Sequence, residues 1–270
     1  MKKIFLAKSF LPTPDKNRMK NEGDVLSARQ VFITQKPSNL SALLEQRYSW
    51  MNAYTKNVQN IVEVGAGAGF SKFFIDNKNL KLSDFKSKHD WIDLDVDALN
   101  MPFENSSMDV IISSHMIHHL ATPQKFFSEV KRVLKKDGYL IISEINTSLL
   151  MRFLLRIMRH EGYSYAIDVF DKNVIANRAD DPWSANCAIP EMLFSDEEKF
   201  IKTIPGFRFV KNELCECILF PISGGVISKT FTINLPKVLL KIICLIDFML
   251  VKIAPSVFPL GRRVVLQKDE

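Results

Sequence analysis

The chain has 270 residues, of which 47% are hydrophobic and 24% are charged, and its formal net charge is +6. The length suits one α/β domain with insertions, and the hydrophobic fraction is sufficient for a normal core, which excludes wholesale disorder. The basic excess fits an anionic surface, a nucleic acid or an acidic substrate, although a solvated basic surface would give the same charge.

The four cysteines, Cys187, Cys215, Cys217 and Cys244, include no Cys-x-x-Cys pair. Cys215 and Cys217 would share one face of a strand, where they are poorly placed to bond to each other. This usage favours reduced thiols and a cytoplasmic location. Near the N-terminus, the apolar stretch from Ile4 to Ala7 is too short for a secretion signal.

Residues 1–58 are predicted to form a helical leader, ahead of a main domain that covers residues 59–270. Prolines interrupt the first part of the leader, whereas apolar residues recur at helical spacing from Leu40 to Met51. We therefore expect a helix that runs up to the first strand of the domain.

A glycine-rich turn follows the short apolar run from Ile61 to Val64. The run has the length and the β-branching of a buried parallel strand, and Gly65, Gly67 and Gly69 come directly after it. Because glycines carry no side chain, a ligand can lie against the backbone of such a turn. A dinucleotide-binding fingerprint would need a glycine where this chain has Phe70.

The segment Leu80 to Asp84 reads as a second strand, and it ends in an acid 19 residues after Gly65. A carboxylate at this place can accept hydrogen bonds from both hydroxyls of a ribose, and roughly 20 residues is the length of one βαβ step. The next segment, Val96 to Phe103, carries an acid and a small residue before a Met-Pro-Phe turn.

Two further segments complete an alternating pattern. Met108 to Ser114 reads as a strand introduced by Asp109, and Phe126 to Ile142 reads as a helix, a glycine turn and another strand. Strands that alternate with helices predict a parallel sheet with helices on both faces.

This ordered set of motifs over residues 61–146 resembles the class I S-adenosylmethionine (SAM)-dependent methyltransferases, of the type 11 kind. The resemblance implies an α/β fold: a Rossmann-like, mostly parallel seven-stranded sheet with helices on both faces, a helical leader and helical insertions. It implies SAM as the cofactor. The residues that it assigns to SAM binding are Glu63, Gly65, Ala66, Gly67, Gly69, Asp84, Asp97, Ala98 and Ser114.

The resemblance also implies how the cofactor is bound. The N–H groups of the glycine loop, with the N-terminus of a following helix, would meet the carboxylate of the methionine part. Asp84 would bind the ribose. Asp97 would accept the adenine amino group, and the backbone of Ala98 would contact the edge of the ring.

Residues Ser113 to Met116 follow the fourth strand at the edge where the acceptor must lie. Methyltransferases that act on amide or base nitrogens carry an Asn/Asp-Pro-Pro-aromatic segment there, which this chain lacks. The absence of this segment from residues 113–116 argues against methylation of a nucleic-acid base.

Three histidines, His115, His118 and His119, lie close together after this strand. A neutral imidazole can take a proton from an attacking hydroxyl, which makes His118 and His119 candidate catalytic residues. Two alternatives remain: the pair packs or caps the next helix, or transfer proceeds by proximity alone. No carboxylate at metal-ligand spacing accompanies the histidines, so no metal is predicted.

Two insertions are predicted, at residues 147–194 and 221–261. The first carries three arginines on one helical face, Arg152, Arg156 and Arg159. Such a face suits an acceptor with an anionic or polar head.

The second insertion contains an apolar helical stretch from Lys237 to Ala254. A membrane span is disfavoured because Lys241 and Asp247 interrupt about 18 residues. The stretch is expected to border the acceptor cavity or to lie on a membrane surface. Packing on the protein's own core or on a second subunit is the alternative.

Together these features predict methyl transfer from SAM to a small or lipid-like acceptor, at oxygen or carbon, in the cytoplasm with peripheral contact at the inner face of a membrane. RNA or protein methylation, suggested by the basic charge, and a non-catalytic partner subunit with a SAM fold are the alternatives. The sequence leaves the acceptor and the oligomeric state open.

Overall fold

The computed structural model describes residues 7–12, 24–159, 161–178, 184–227 and 231–269. The strands are β1 (Ser9–Phe10), β2 (Ile61–Val64), β3 (Lys81–Asp84), β4 (Leu94–Asp95), β5 (Met108–Ser114), β6 (Leu134–Ile145), β7 (Tyr163–Ser164), β8 (Phe207–Cys215) and β9 (Gly261–Lys268). The α-helices are α1 (Val25–Gln35), α2 (Ser38–Tyr48), α3 (Asn52–Thr55), α4 (Pro123–Val133), α5 (Leu149–Met158), α6 (Ile189–Phe194), α7 (Glu197–Thr203), α8 (Leu219–Ile222) and α9 (Lys237–Ile253).

Seven strands form one sheet in the order β4-β3-β2-β5-β6-β9-β8. The first five strands in this order, β4, β3, β2, β5 and β6, are parallel to one another. Strand β9 runs antiparallel to both β6 and β8. The predicted mostly parallel seven-stranded sheet is therefore confirmed. The short strands β1 and β7 pair with each other in a separate two-stranded sheet.

Alternate residues of each strand pack on opposite faces of the sheet, because successive side chains of a strand point to opposite sides. Val62 and Val64 belong to the core under α4, α6 and α7, together with Phe127. Ile61 and Val110 belong to the core under the leader helices. Both faces are thus covered, as the sequence predicts.

The leader is helical in its described part, with α1, α2 and α3 before the first strand of the large sheet. Leu40, Leu44 and Met51 are fully buried in the core on that face of the sheet. The apolar spacing noted in the sequence is the face by which α2 packs on the sheet. The boundary between leader and domain at residue 58 stays a prediction.

The chain after the glycine turn differs from the expectation. The predicted helix is a single 3-10 turn, Phe70–Phe73, and a loop leads from it to β3. Phe70 is buried against Phe32 of α1 at 5.2 Å between ring centroids, so leader residues occupy space over this part of the sheet. Asn77 then holds the loop by donating to the carbonyls of Thr55 and Val58.

Strand β8 ends at Cys215, and the chain then turns away from the sheet. The carboxylate of Asp247 in α9 accepts the N–H groups of Cys217, Ile218 and Leu219, at 3.1, 2.7 and 3.1 Å. These bonds replace strand pairing and turn the backbone into α8. The second insertion then supplies α9 before the chain returns as β9.

Candidate functional site

The glycine loop adopts a backbone that side chains disfavour. Gly65, Gly67 and Gly69 have φ of +73°, +50° and +63°, in the left-handed region. A Cβ atom on Gly65 would lie 2.4 Å from Cγ of Met116, whereas a Cβ on Gly67 would meet nothing within 4 Å. The loop is therefore packed tightly at Gly65 and open at Gly67.

Aromatic and basic side chains hold the loop from its other side. Trp91 Nε1 donates to the carbonyl of Gly67 at 2.9 Å, and Arg29 donates to the carbonyl of Ala68 at 2.7 Å. The Arg29 guanidinium lies 4.6 Å from the centroid of the Trp91 ring, in cation–π range. These contacts use the loop carbonyls and fix its shape.

Asp84, which the resemblance assigns to the ribose, reaches the glycine loop. Its carboxylate accepts the N–H of Gly67 at 2.9 Å and the N–H of Phe85 at 2.8 Å. Burial raises the pKa of this carboxyl above its ordinary value, although both backbone bonds oppose the shift. Asp84 thus couples the end of β3 to the loop.

Glu63 lies beneath the loop in β2 and is fully buried. Its carboxyl is hydrogen-bonded to the hydroxyl of Ser71. Burial raises the pKa of Glu63 to about 8, so the carboxyl is mostly protonated at neutral pH. Glu63 supports the 3-10 turn after the loop.

Asp97 forms a turn with its own neighbours. Its carboxylate accepts the N–H of Leu99 at 2.8 Å, and its carbonyl accepts the N–H of Asn100 at 3.0 Å. Ala98, the next residue, is buried in the core. The turn gives this segment a fixed conformation.

A cavity opens beside the glycine loop. Its polar wall consists of Arg47, Tyr48, Ser114, His115, His118, His119 and Glu161, and its apolar wall includes Ile145, Met151, Met158, Phe220, Val226, Ile227 and Leu260. Of the predicted site residues, the cavity brings together Gly65, Ala66, Gly67, Ser114, His118 and His119. Those outside its described wall are Glu63, Gly69, Asp84, Asp97 and Ala98.

His118 is held by Glu144, a residue that the sequence did not indicate as part of the site. Its Nδ1 lies 2.6 Å from Oε2 of Glu144, and Oε1 of Glu144 accepts the N–H of Ile117 at 2.6 Å. Burial opposes charge on His118, but Glu144 and Glu161 outweigh it and raise the pKa to about 8. Glu144 lies near the carboxyl end of β6, a place where functional side chains gather.

Glu161 comes from the first insertion and lies between the two histidines. Its oxygens are 3.7 Å from Nε2 of His118 and 3.6 Å from Nε2 of His119. Burial and the neighbouring His118 lower the pKa of His119 to about 4. Nothing in the spacing of the sequence indicates Glu161, since it is brought here by the path of the insertion.

The third histidine, His115, is strained and neutral. Its φ is +51°, and burial lowers its pKa well below the ordinary value. His118 and His119 themselves form a 3-10 turn with Ile117, and no side chain caps the start of α4. The pair therefore faces the cavity and does not cap the next helix.

The arginines of the first insertion are engaged elsewhere. Arg152 donates to the carbonyl of Thr147 at 3.0 Å and to the hydroxyl of Tyr165 at 2.9 Å, and Arg156 lies 5.2 Å over the ring of Tyr163. From the same helix the methionines, Met151 and Met158, line the cavity instead. The cavity is more apolar on this side than the arginine spacing suggests.

Helix α9 lies away from the cavity, since none of its residues belongs to the wall. It packs through Leu240 and Val251, with Asp247 buried beside them. Across the part of the chain that the structure describes, no helix is both long enough and apolar enough to span a bilayer.

Residues 62–142 match the family described as "Methyltransferase domain". Among curated proteins, the chain is 30% identical over 96 residues to ubiquinone/menaquinone biosynthesis C-methyltransferase UbiE of Campylobacter jejuni, which covers 35% of this chain and 37% of that protein. It is 30% identical over 105 residues to ajmaline N-methyltransferase of Rauvolfia serpentina, covering 32% and 36%. The chain spans no more than 37% of the length of these curated relatives.

A solved structure shares the fold over most of the chain. It is a SAM-dependent methyltransferase from Archaeoglobus fulgidus, with a TM-score of 0.52 and 19% identity, covering 84% of this chain and 93% of that one. The family match and the common fold confirm the resemblance predicted from the motifs.

Proposed function

We propose that the chain is a class I SAM-dependent methyltransferase, as the match of residues 62–142 supports, and that it transfers a methyl group from SAM to a lipid-like acceptor held in the cavity beside the glycine loop. The observation that carries the proposal is the open side of Gly67. A Cβ atom on Gly67 would meet nothing within 4 Å, and Gly67 lines the cavity, while Trp91 and Arg29 bind the carbonyls of Gly67 and Ala68.

The residues present fit the cofactor. The N–H groups of Ala66, Gly67 and Gly69 already bond to Ser83, Asp84 and Ala66, so other N–H groups of the loop would bind the carboxylate of the methionine part. They would do so without help from a helix N-terminus, because only a 3-10 turn follows the loop. Asp84, already bonded to Gly67 N, would bind the ribose. Asp97 and Ala98 would take the adenine. When bound, SAM supplies a sulfonium methyl group that a nucleophile can attack.

The polar wall of the cavity would position the acceptor. Ser114, His118 and His119 line the same cavity as Gly65 and Ala66, so an acceptor atom held there would be near the loop. The low pKa of His119 keeps its ring neutral at pH 7, and a neutral ring nitrogen can accept the proton that an acceptor hydroxyl loses. Proximity within the cavity would supply the rest of the rate enhancement.

The apolar wall supports a lipid-like acceptor. Two methionines of α5 and the side chains of Phe220, Val226 and Ile227 would contact an apolar chain or ring. Transfer to oxygen or carbon, as opposed to a base nitrogen, is supported by Ser113 to Met116, which replace the segment that holds a planar amino group.

A peripheral position on a membrane would deliver such an acceptor. The outer face of α9 exposes large apolar side chains, with exposed fractions of 49% for Ile242, 59% for Leu245, 57% for Phe248 and 77% for Ile253. Lys237, Lys241 and Lys252 lie on the same helix. An exposed apolar face with lysines suits the interface of an anionic membrane, and we propose that surface as its partner.

The test is methyl transfer from labelled SAM to fractionated cell material. Label in the organic-soluble fraction of a lipid extract is expected, with total RNA, total DNA and protein unlabelled. Gly67→Val serves as the inactive control. Label in RNA or protein would contradict the proposed acceptor, and absence of transfer to every fraction by a chain that binds SAM would favour the non-catalytic alternative.

A further inference from the structure

We propose that His118, His119 and Glu161 form a binding site for a divalent transition-metal ion of the zinc type in the wall of the cavity. The metal site itself is independent of methyl transfer. Its role, to hold an oxygen of the acceptor, rests on the proposed function and, with the ion bound, replaces the proton acceptance assigned to His119 there.

The ligand atoms already lie at nearly the right separations. Atoms of His118, His119 and Glu161 that can bind a metal all lie within 4.8 Å of one another. The two separations from Nε2 to carboxylate oxygen, 3.7 and 3.6 Å, exceed a hydrogen bond of about 2.7–3.2 Å. They approach the roughly 3.4 Å that separates two ligands on a tetrahedral ion with bonds of about 2.1 Å.

Both histidines are oriented as metal-binding histidines are. Nδ1 of His118 is held by Glu144 at 2.6 Å, and Nδ1 of His119 faces the carbonyl oxygen of Ser184 at 3.2 Å. When Nδ1 donates its proton to an oxygen, the lone pair is on Nε2. A metal ion would displace the proton that Glu144 and Glu161 favour on His118, and Nε2 of each histidine would then present a lone pair to the ion.

The partners of these groups are themselves fixed. Glu144 accepts the N–H groups of Ile117 and Ile145, at 2.6 and 3.1 Å. The thiol of Cys187 lies 3.3 Å from Oε2 of Glu161 and donates to it. A second layer of this kind is what holds the ligands of a metal site in place.

The donor set selects the ion. Two imidazoles and one carboxylate form a known ligand set of zinc, with a fourth position left for a water or a substrate. Magnesium and calcium prefer oxygen ligands, so two nitrogens argue against them. Because His118, His119 and Glu161 all line the cavity, the fourth position would face an acceptor oxygen.

The first experiment measures metal binding without reference to activity. The full chain, freed of metal with a chelator, is titrated with zinc in a calorimeter and with cobalt while the visible absorption of the bound ion is recorded. One equivalent with micromolar or tighter affinity is expected. His119→Ala and Glu161→Gln are each expected to weaken zinc binding at least about 100-fold; the two side chains are 25% and 14% exposed.

His89→Ala is the matched control, because this imidazole stacks on Trp91 outside the cavity wall and should leave zinc binding unchanged. SAM titration of each variant confirms that the fold is retained. Zinc binding that is absent in the natural chain, or equal in the natural chain and both cavity variants, overturns the site. If methyl transfer proceeds in a chain that does not bind zinc, the proposed function stands and the metal site falls.

Discussion

Arg47 and Glu216 form a doubly hydrogen-bonded ion pair in the interior, with Nε–Oε1 at 2.9 Å and Nη2–Oε2 at 2.7 Å. The two residues are 169 positions apart in the chain. Arg47 belongs to α2 of the leader and also lines the cavity, whereas Glu216 follows β8. The pair therefore fastens the leader to the last part of the sheet, next to the candidate site.

Replacing Glu216 by alanine is expected to cost about 3–5 kcal/mol of the free energy of unfolding, because Arg47 is left as an uncompensated buried charge. Urea denaturation measures the change. Glu213→Ala is the control: its ion pair with Lys211 has a Glu213 side chain that is 56% exposed, so about 1 kcal/mol or less is expected. Equal losses in the two variants would show that burial of the Arg47 pair has no special role.

Gly67→Val is expected to abolish SAM binding. The affinity of the natural chain should be micromolar, about −8 kcal/mol, and the branched side chain would occupy the open space above the loop. Calorimetry with SAM should show a loss of more than about 100-fold. Gly206→Val is a matched control, since Gly206 also has a positive φ, +97°, and its Cβ would meet only the flexible Lys131. Unchanged affinity in Gly67→Val would disprove the assignment of the loop.

Asp97→Ala is expected to weaken SAM binding by roughly fivefold, the effect of losing about one hydrogen bond of 1 kcal/mol to the adenine amino group. Asp95→Ala is the control. Its carboxylate likewise accepts a backbone N–H, that of Lys86 at 2.8 Å, but no adenine contact is assigned to it. If both variants bind SAM equally well, Asp97 acts only as a turn residue.

Glu63→Gln is expected to flatten the pH dependence of stability. The pKa of Glu63 is about 8 in the folded chain and 4.5 ordinarily, so folding takes up a proton in this range. The stabilisation is full below about pH 4.5 and is lost as the pH rises toward 8, at up to about 1.4 kcal/mol per pH unit. Urea denaturation from pH 5 to 8.5 should show that the free energy of unfolding of the natural chain falls with pH relative to that of the variant. If the free energies of unfolding of the two proteins change with pH in parallel, Glu63 is ionised in the folded chain.

Replacing Ile242, Leu245 and Met249 by serine is expected to abolish flotation with anionic vesicles, because these side chains are exposed on α9. Binding of the natural chain should fall with salt and with removal of anionic lipid, since lysines contribute to it. Serine at the exposed positions Ile33, Ile175 and Val210 is the control for lost apolar surface. Flotation that survives in the α9 variant, or that is absent in the natural chain, would exclude this docking face.

The sheet could be predicted because its signals are local. The apolar run before Gly65 and the acid at Asp84 follow from side-chain period and from spacing within one βαβ step. The helix expected after the glycine loop was wrong: the chain forms a 3-10 turn there, and Phe70 of that turn packs on Phe32 of the leader. Packing of a distant segment on the same face of the sheet cannot be read from the residue pattern of the segment that follows the loop.

The sequence by itself predicted the resemblance to methyltransferases, the glycine loop and the histidine pair, since each prediction depends on residues close together in the chain. Only the tertiary structure brought Glu144 and Glu161 to His118, across 26 and 43 positions of the chain. It likewise paired Arg47 with Glu216. Charged groups are paired when they are buried, because burial without a partner costs several kcal/mol, but which partner is used depends on how the insertions fold back over the sheet.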